Sequence, residues 1–299
     1  MTPAAPEIWT TRTLLVWTTK RFEQAGFDFA RLQAEMLMAH VLCYPDRLRL
    51  YLEMDRPATA EEKDAFRALV RRALANEPID YLIGKAPFFG LMLKVTPATL
   101  VPRPATETLV EFVLETEKKR PAEEGKTLRL CDIGTGSGTI ALALAKFLPK
   151  NKHATLVATD ISQAALDVAE ENARTLGVAD SITFRHGDLL APVAGESFDY
   201  LLSNPPYIPD HEWADVAPNV KDYEPVTALR GGVDGLSHLR PLIEQGGACV
   251  VPGGWLALEL AAWHADKAAD LARAAGWQEV RILKDHEDLP RILVGRKAH

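Results

Sequence analysis

From Trp9 to about residue 76, apolar side chains recur at helical spacing. Phe29, Leu32, Met36, Leu37, His40 and Val41 follow an i, i+3, i+4, i+7 pattern, and Phe66, Leu69, Val70 and Ala73 repeat it. Thr59-Ala-Glu-Glu62 has the form of a capping box opening that second helix, just after the turn residues Asp55-Arg-Pro57. Residues 1–76 therefore read as a small helical bundle. Between Glu77 and Pro104 the pattern shifts to aromatic and β-branched residues punctuated by Gly and Pro, as in Phe88-Phe89-Gly90-Leu-Met-Leu-Lys-Val95. This predicts a β-hairpin linker over 77–104 and a domain boundary within it.

From Leu128 onward short apolar runs alternate with helical stretches. The runs are Leu128–Cys131, Thr155–Ala158, Ile182–Phe184, Tyr200–Leu202 and Leu256–Leu258. Such alternation predicts a parallel sheet covered by helices on both faces. The last two runs, Gln278–Leu283 and Arg291–Val294, are separated by a loop too short for a helical crossover, so they are expected to pair antiparallel at the sheet edge. The expected class is α/β, with residues 105–299 forming the sheet domain. No internal repeat is visible.

Length and composition agree with this division. The 299 residues suit roughly two domains at about 150 each. Hydrophobic residues at 47% and charged residues at 25% exclude a disordered or low-complexity chain. No apolar run approaches the ~18 residues of a membrane span, and Met1-Thr-Pro-Ala-Ala-Pro-Glu7 lacks the basic and apolar regions of a signal peptide. A cytoplasmic protein with no membrane partner is expected, and a monomer. Cys43, Cys131 and Cys249 are far apart and never in a CxxC pair, so all three are expected to be buried thiols. The eight histidines show no HxxxH spacing, and no metal site is expected. The net charge of −7 is uneven: residues 1–95 hold 13 Lys and Arg against 12 Asp and Glu, the remainder 21 against 29. An acidic second half argues against a phosphate-tracking surface and hence against a nucleic-acid partner.

Two loops carry candidate chemistry. Asp132-Ile-Gly-Thr-Gly-Ser-Gly138 follows an apolar run and opens a helix, so Gly134, Thr135, Gly136, Ser137 and Gly138 sit where a ligand can approach backbone closely. The GxGxG spacing fails the dinucleotide fingerprint at Thr139, and a P-loop lysine is missing. Asp160 ends the second strand, where a carboxylate can accept both hydroxyls of a ribose. A nucleoside with an amino-acid tail, S-adenosylmethionine, fits a loop with no pyrophosphate to hold. Asp188, in His186-Gly-Asp188, is placed either for the adenine edge or as an ordinary turn aspartate.

The second loop is Ser203-Asn-Pro-Pro-Tyr207, at the carboxyl end of Phe198-Asp-Tyr-Leu-Leu202. Pro205 and Pro206 fix φ and remove two N–H donors, leaving a rigid turn that accepts hydrogen bonds. Asn204 Oδ1 and the Pro205 carbonyl can each accept one N–H of a planar NH2 group, with Tyr207 stacked on its face. An amide nitrogen is a poor nucleophile because its lone pair is delocalised. Holding both hydrogens turns that lone pair toward a methyl donor and favours the transition state over the planar ground state.

The whole order of motifs resembles the release-factor glutamine methyltransferases, the HemK-type family. The likeness runs through Arg71-Arg72, Glu77-Pro78-Ile-Asp-Tyr-Leu-Ile-Gly84, Phe89-Gly90, Val101-Pro-Arg-Pro-Ala-Thr-Glu107, Asp132–Gly138, Asp160-Ile-Ser162, Asn204–Tyr207, Glu224-Pro225 with Ala228-Leu229, Gly232-Val-Asp-Gly235 and Gly253-Gly254-Trp255. The resemblance implies a seven-stranded, Rossmann-like, S-adenosylmethionine-dependent methyltransferase domain behind a small N-terminal helical bundle that recognises the substrate protein. It also implies the substrate: the glutamine of the Gly-Gly-Gln loop in class I peptide chain release factors, methylated at N5, with S-adenosylhomocysteine as product. By the same likeness Gly134–Gly138 hold the cofactor, Asp160 the ribose, and Asn204–Tyr207 the glutamine amide. Leu189 falls where the family lines the adenine, and Phe89 where an aromatic ring shapes the glutamine pocket. The chain departs from the family pattern at Asp80, Ala105, Ala261 and His264. Arg103 is open between capping the following helix and a role near cofactor or substrate.

Two rivals share the chemistry. A DNA adenine-N6 methyltransferase grips the exocyclic amine of a flipped base with a similar loop; the acidic second half and the lack of a recognition insert disfavour it. A ribosomal-protein glutamine methyltransferase normally reads Pro-Arg-Ser, whereas this chain has Pro102-Arg103-Pro104. A binding module with lapsed catalysis is disfavoured by the intact Asn204 and glycine loop.

Overall fold

A computed structural model of the chain describes residues 8–121 and 125–299. The chain divides into two compact units, Met1–Gly84 with Pro218–Tyr223, and Lys85–Ala217 with Glu224–His299. Among the described residues no helix is long and apolar enough to cross a membrane.

The first unit contains helices α1 (Thr11–Gln24), α2 (Ala30–Val41), α3 (Ala60–Leu74) and the short α4 (Ile79–Ile83). Leu14, Leu15, Phe22, Leu37, Met38, Leu50, Phe66 and Val70 fill its core. The capping box at Thr59 is present: its side chain accepts from Glu62 N, and Glu62 Oε2 accepts from Thr59 N. In α3 the buried face is Phe66, Val70 and Ala73, as the spacing predicts.

In α2 the expected stripe is wrong. Phe29 and Leu32 face solvent, and His40 is exposed; the buried face runs through Ala30, Ala34, Leu37 and Met38. That set also has helical spacing, and its two alanines weigh little in a hydrophobicity count although they let helices approach closely. Glu35 is buried on α2 as well, held by Arg31, Arg47 and Tyr51, and these three donors keep its carboxyl below the usual range despite burial. Cys43 corrects a second expectation. It is exposed, because the chain leaves α2 through a left-handed residue there, φ +53°, with its N–H on the His40 carbonyl. Cys131 and Cys249 are buried thiols.

The second unit opens with a hairpin, β1 (Lys85–Phe88) against β2 (Leu91–Lys94). Asn172 ties β2 down: its Oδ1 accepts from Lys94 N at 2.7 Å and its Nδ2 donates to the Lys94 carbonyl at 3.0 Å. Then follow α5 (Pro104–Lys119), β3 (Thr127–Ile133), α6 (Thr139–Phe147), β4 (His153–Asp160), α7 (Gln163–Leu176), β5 (Ile182–His186) and β6 (Phe198–Ser203). The short α8 (Pro218–Lys221) belongs to the helical unit, where the neighbouring Tyr223 hydroxyl donates to the Ala75 carbonyl. After it come α9 (Leu239–Gln245), β7 (Val250–Glu259), α10 (Ala265–Ala274), β8 (Gln278–Lys284) and β9 (Pro290–Arg296).

The seven strands lie in the order β5-β4-β3-β6-β7-β9-β8. The first five are parallel, and β9 enters antiparallel between β7 and β8. All seven expected strands are present, and the late pair occupies the edge as predicted. Alternate residues feed two apolar layers: Leu128, Leu130 and Tyr200 pack with α5 and α6 residues, while Cys131, Ile133 and Leu201 pack with α9 and α10 residues. Burial on both faces explains why these strands read as continuous apolar runs. It also leaves the carboxyl ends of β3, β4, β5, β6 and β7 along one edge, where loops are free to carry polar chemistry.

Candidate active site

At the end of β3 the chain turns sharply into α6. Gly138 caps that helix at φ +88°, and a Cβ there would lie 2.6 Å from Leu142 Cδ1, so the turn needs glycine on both counts. Gly136, at φ +58°, faces open space, with nothing within 4 Å of where a Cβ would sit. Its N–H donates to Asp160 Oδ2 at 2.8 Å, and Ser162 N donates to Oδ1 at 2.9 Å. Burial raises the Asp160 carboxyl above its ordinary value against these N–H donors. Beneath the loop Asp132 is buried. Its Oδ2 accepts from Thr135 Oγ1 at 2.6 Å and Ala141 N at 3.2 Å, its Oδ1 has no hydrogen-bond partner, and burial pushes it up to about 7. After β5, Asp188 is exposed, and Leu189 sits at φ +45°, a left-handed conformation that an ordinary side chain adopts only where its surroundings enforce it.

The other wall is built from β6, β7 and the start of α5. Ser203 pairs with Leu258 in the β6–β7 register, so Asn204 and Glu259 emerge side by side from adjacent strands. Thr106, in the first turn of α5, joins them: Asn204 Nδ2 donates to Thr106 Oγ1 at 3.2 Å, and Thr106 Oγ1 donates to Glu259 Oε2 at 2.5 Å. Glu259 is 1% exposed, and burial pushes it up to about 7. Arg103 is the N-cap residue of α5 but makes no side-chain capping bond. Its guanidinium instead pairs with buried Glu224 at 2.5 Å, whose other oxygen accepts from Val101 N at 3.1 Å.

These walls enclose one cavity of about 390 Å³, a size suited to a small organic ligand. Of the residues singled out from sequence, Gly134–Ser137, Asp160, Asp188, Leu189, Asn204–Pro206 and Arg103 line it. Gly138, Phe89 and Tyr207 do not. Gly138 lies behind, forming the helix cap. Phe89 sits in the β1–β2 turn at φ +48°, where its N–H donates to Glu107 Oε1 at 2.6 Å and its ring meets Phe147 edge-on with centroids 5.4 Å apart. Tyr207 is half-buried, its phenol pushed up to about 12 by burial and by nearby Glu259. His264, one of the departures from the family pattern, is buried against Gly235 and does not line the cavity.

Thr106 and Glu224 fall within motifs that carry the family likeness but drew no role from sequence, and Glu259 was missed, although it carries the signal that flagged Asp160, an acid ending a buried apolar strand.

Comparison with known proteins decides the family. Residues 13–84 match the model of the PrmC N-terminal domain, and residues 104–220 that of the methyltransferase small domain. The chain is 38% identical to a release factor glutamine methyltransferase of Geobacter sulfurreducens across 97% of its own length and 98% of that protein's. It is 41% identical to one from Moorella thermoacetica across 95% and 98%. The chain belongs to the release factor glutamine methyltransferase family. The fold is shared more widely than the family: a methyltransferase of known structure from Pyrococcus furiosus superposes with a TM-score of 0.50 at 21% identity, over 77% of this chain and 98% of that one.

Proposed function

We propose that this chain transfers the methyl group of S-adenosylmethionine to the side-chain amide nitrogen, N5, of the glutamine in the Gly-Gly-Gln loop of class I peptide chain release factors. The observation that carries the reading is that the glycine loop and the Asn204-Pro205-Pro206 bend line one and the same cavity. The residues present suit the cofactor. Gly136 opens on empty space, Asp160 keeps a half-buried carboxyl group beside the loop, and Asp132 Oδ1 is an unpartnered buried acceptor below it. Gly134–Ser137, Asp160, Asp188 and Leu189 would hold it. When bound, it supplies an electrophilic methyl group on a positively charged sulfur.

The chain's own residues do the rest by orientation. Asn204 Oδ1 and the Pro205 carbonyl accept the two amide hydrogens, which turns the nitrogen lone pair out of conjugation and toward the cofactor side of the cavity. Alignment of this kind supplies up to about 7–11 kcal/mol of a barrier. No dedicated base is needed, since a methylated amide nitrogen is acidic and loses its proton readily. Arg103, paired with Glu224, places a cation in the lining of the same cavity. The helical unit is assigned to recognition of the substrate protein; its exposed Leu48, Tyr51 and Leu52 support that assignment.

The test is labelled methyl donor supplied with release factor, ribosomal protein or duplex DNA in parallel. Label is expected in the release factor alone. Label chiefly in ribosomal protein or DNA would replace the proposal with one of those activities.

A further inference from the structure

Asn204 can do its part only one way round. A carboxamide accepts at Oδ1 and donates at Nδ2, and the substrate amide presents two donors, so a reversed Asn204 would set donor against donor. Rotating the amide by 180° hardly changes its shape, so sterics alone do not choose. The neighbouring hydrogen bonds do. Glu259, as a carboxylate, only accepts; Thr106 has one hydroxyl proton and gives it to Glu259 Oε2 at 2.5 Å. The Thr106 oxygen is thereby left as an acceptor and takes Asn204 Nδ2 at 3.2 Å, which leaves Oδ1 to the cavity.

We propose that Thr106 and Glu259 are positioning residues that fix the polarity of the Asn204 amide, with the ionised carboxylate of Glu259 setting the direction of the hydrogen-bond chain. The proposal rests on the reading above, that Asn204 Oδ1 accepts from the substrate amide. Protonating Glu259 would turn it into a donor to Thr106. The hydroxyl proton is then released toward Asn204, whose Oδ1 becomes the matching partner, and the NH2 end turns to the cavity. The switch involves only proton positions and one amide rotation.

The surroundings suit such a device. Thr106 is 2% exposed and Glu259 1%, so water does not compete for either contact. The charged and titratable groups facing Glu259 are Arg103 at the start of α5, Arg291 on β9, Asp285 in the β8–β9 loop and Tyr207. Both cations are committed to other carboxylates, Arg103 to Glu224 at 2.5 Å and Arg291 to Asp285 at 3.0 Å. Burial therefore dominates, and Glu259 titrates near neutrality, at about 7. Its carboxylate form, and with it the productive amide, prevails above that pH and is lost below it.

The experiment compares the full-length protein with Thr106→Val, Thr106→Ser and Glu259→Gln, reading kcat, KM for release factor, cofactor affinity by calorimetry and the pH profile of kcat. Thr106→Val should lower kcat roughly tenfold, what one neutral hydrogen bond carries, with KM and cofactor affinity unchanged. Thr106→Ser, which keeps the hydroxyl, should restore it. The wild type should lose kcat as pH falls through about 7, and Glu259→Gln should abolish that acid limb. Asp132 also titrates at about 7, so an acid limb that persists in Glu259→Gln belongs to the glycine loop and overturns the proposal. Wild-type kcat in Thr106→Val overturns it too, while an Asn204→Ala variant that still loses about a hundredfold in kcat leaves the underlying reading intact. Should Glu259→Gln fail to fold, the Val and Ser pair at Thr106 decides alone.

Discussion

At the scale of single residues, the proposed function gives two residues of one cavity separate duties: Asn204 would accept from the amide to be methylated, and Asp160 would hold the cofactor's ribose. Asn204→Ala is expected to lose on the order of 3 kcal/mol of transition-state stabilisation, about a hundredfold in kcat, with cofactor affinity retained. Asp160→Ala should do the reverse, weakening cofactor binding first. Calorimetry with S-adenosylhomocysteine beside steady-state kinetics distinguishes them, and a swapped pattern would exchange the two loops' ligands. The meeting of the two residues in one cavity was legible in the sequence because Asp160 ends, and Asn204 follows, a buried strand at an abrupt change to polar or turn-forming residues. The contact of Thr106 with Glu259 was not, although Thr106 lies within the Val101–Glu107 motif, since the two meet across 153 positions of chain. For Phe89 the family likeness implies a place beside the substrate; the structure sets its ring edge-on to Phe147, outside the lining of the cavity.

At the scale of elements, the strand-to-helix turn after β3 is the part most tightly fixed by backbone geometry. Gly138→Ala places a side chain at φ +88° and against Leu142, and is expected to destabilise the protein by about 1–2 kcal/mol in denaturant unfolding while weakening cofactor binding. Unchanged stability would mean that the turn relaxes freely and that its shape is not what holds the loop. Buried parallel strands were the easiest elements to read, because two covered faces leave no polar alternation to confuse the pattern. The rotation of α2 was the hardest. Ala30 and Ala34 contribute little apolar area, and only the packed structure shows that the helix buries them and turns Phe29 outward.

At the scale of the whole molecule, each unit has its own core, and the sheet unit alone encloses the cavity. The return of Pro218–Tyr223 to the helical unit could not be read from the sequence, for the segment has no periodicity of its own; in the structure Tyr223 donates to the Ala75 carbonyl. The central claim is that the reacting atom is a carboxamide nitrogen presented by a protein loop. The most direct measurement is mass-spectrometric mapping of the methyl group on full-length release factor after reaction, alongside a factor in which Gly-Gly-Gln is changed to Gly-Gly-Ala. The account predicts one methyl on the glutamine side chain and none on the altered factor. A methyl group on any other residue, or equal modification of the altered factor, would contradict it.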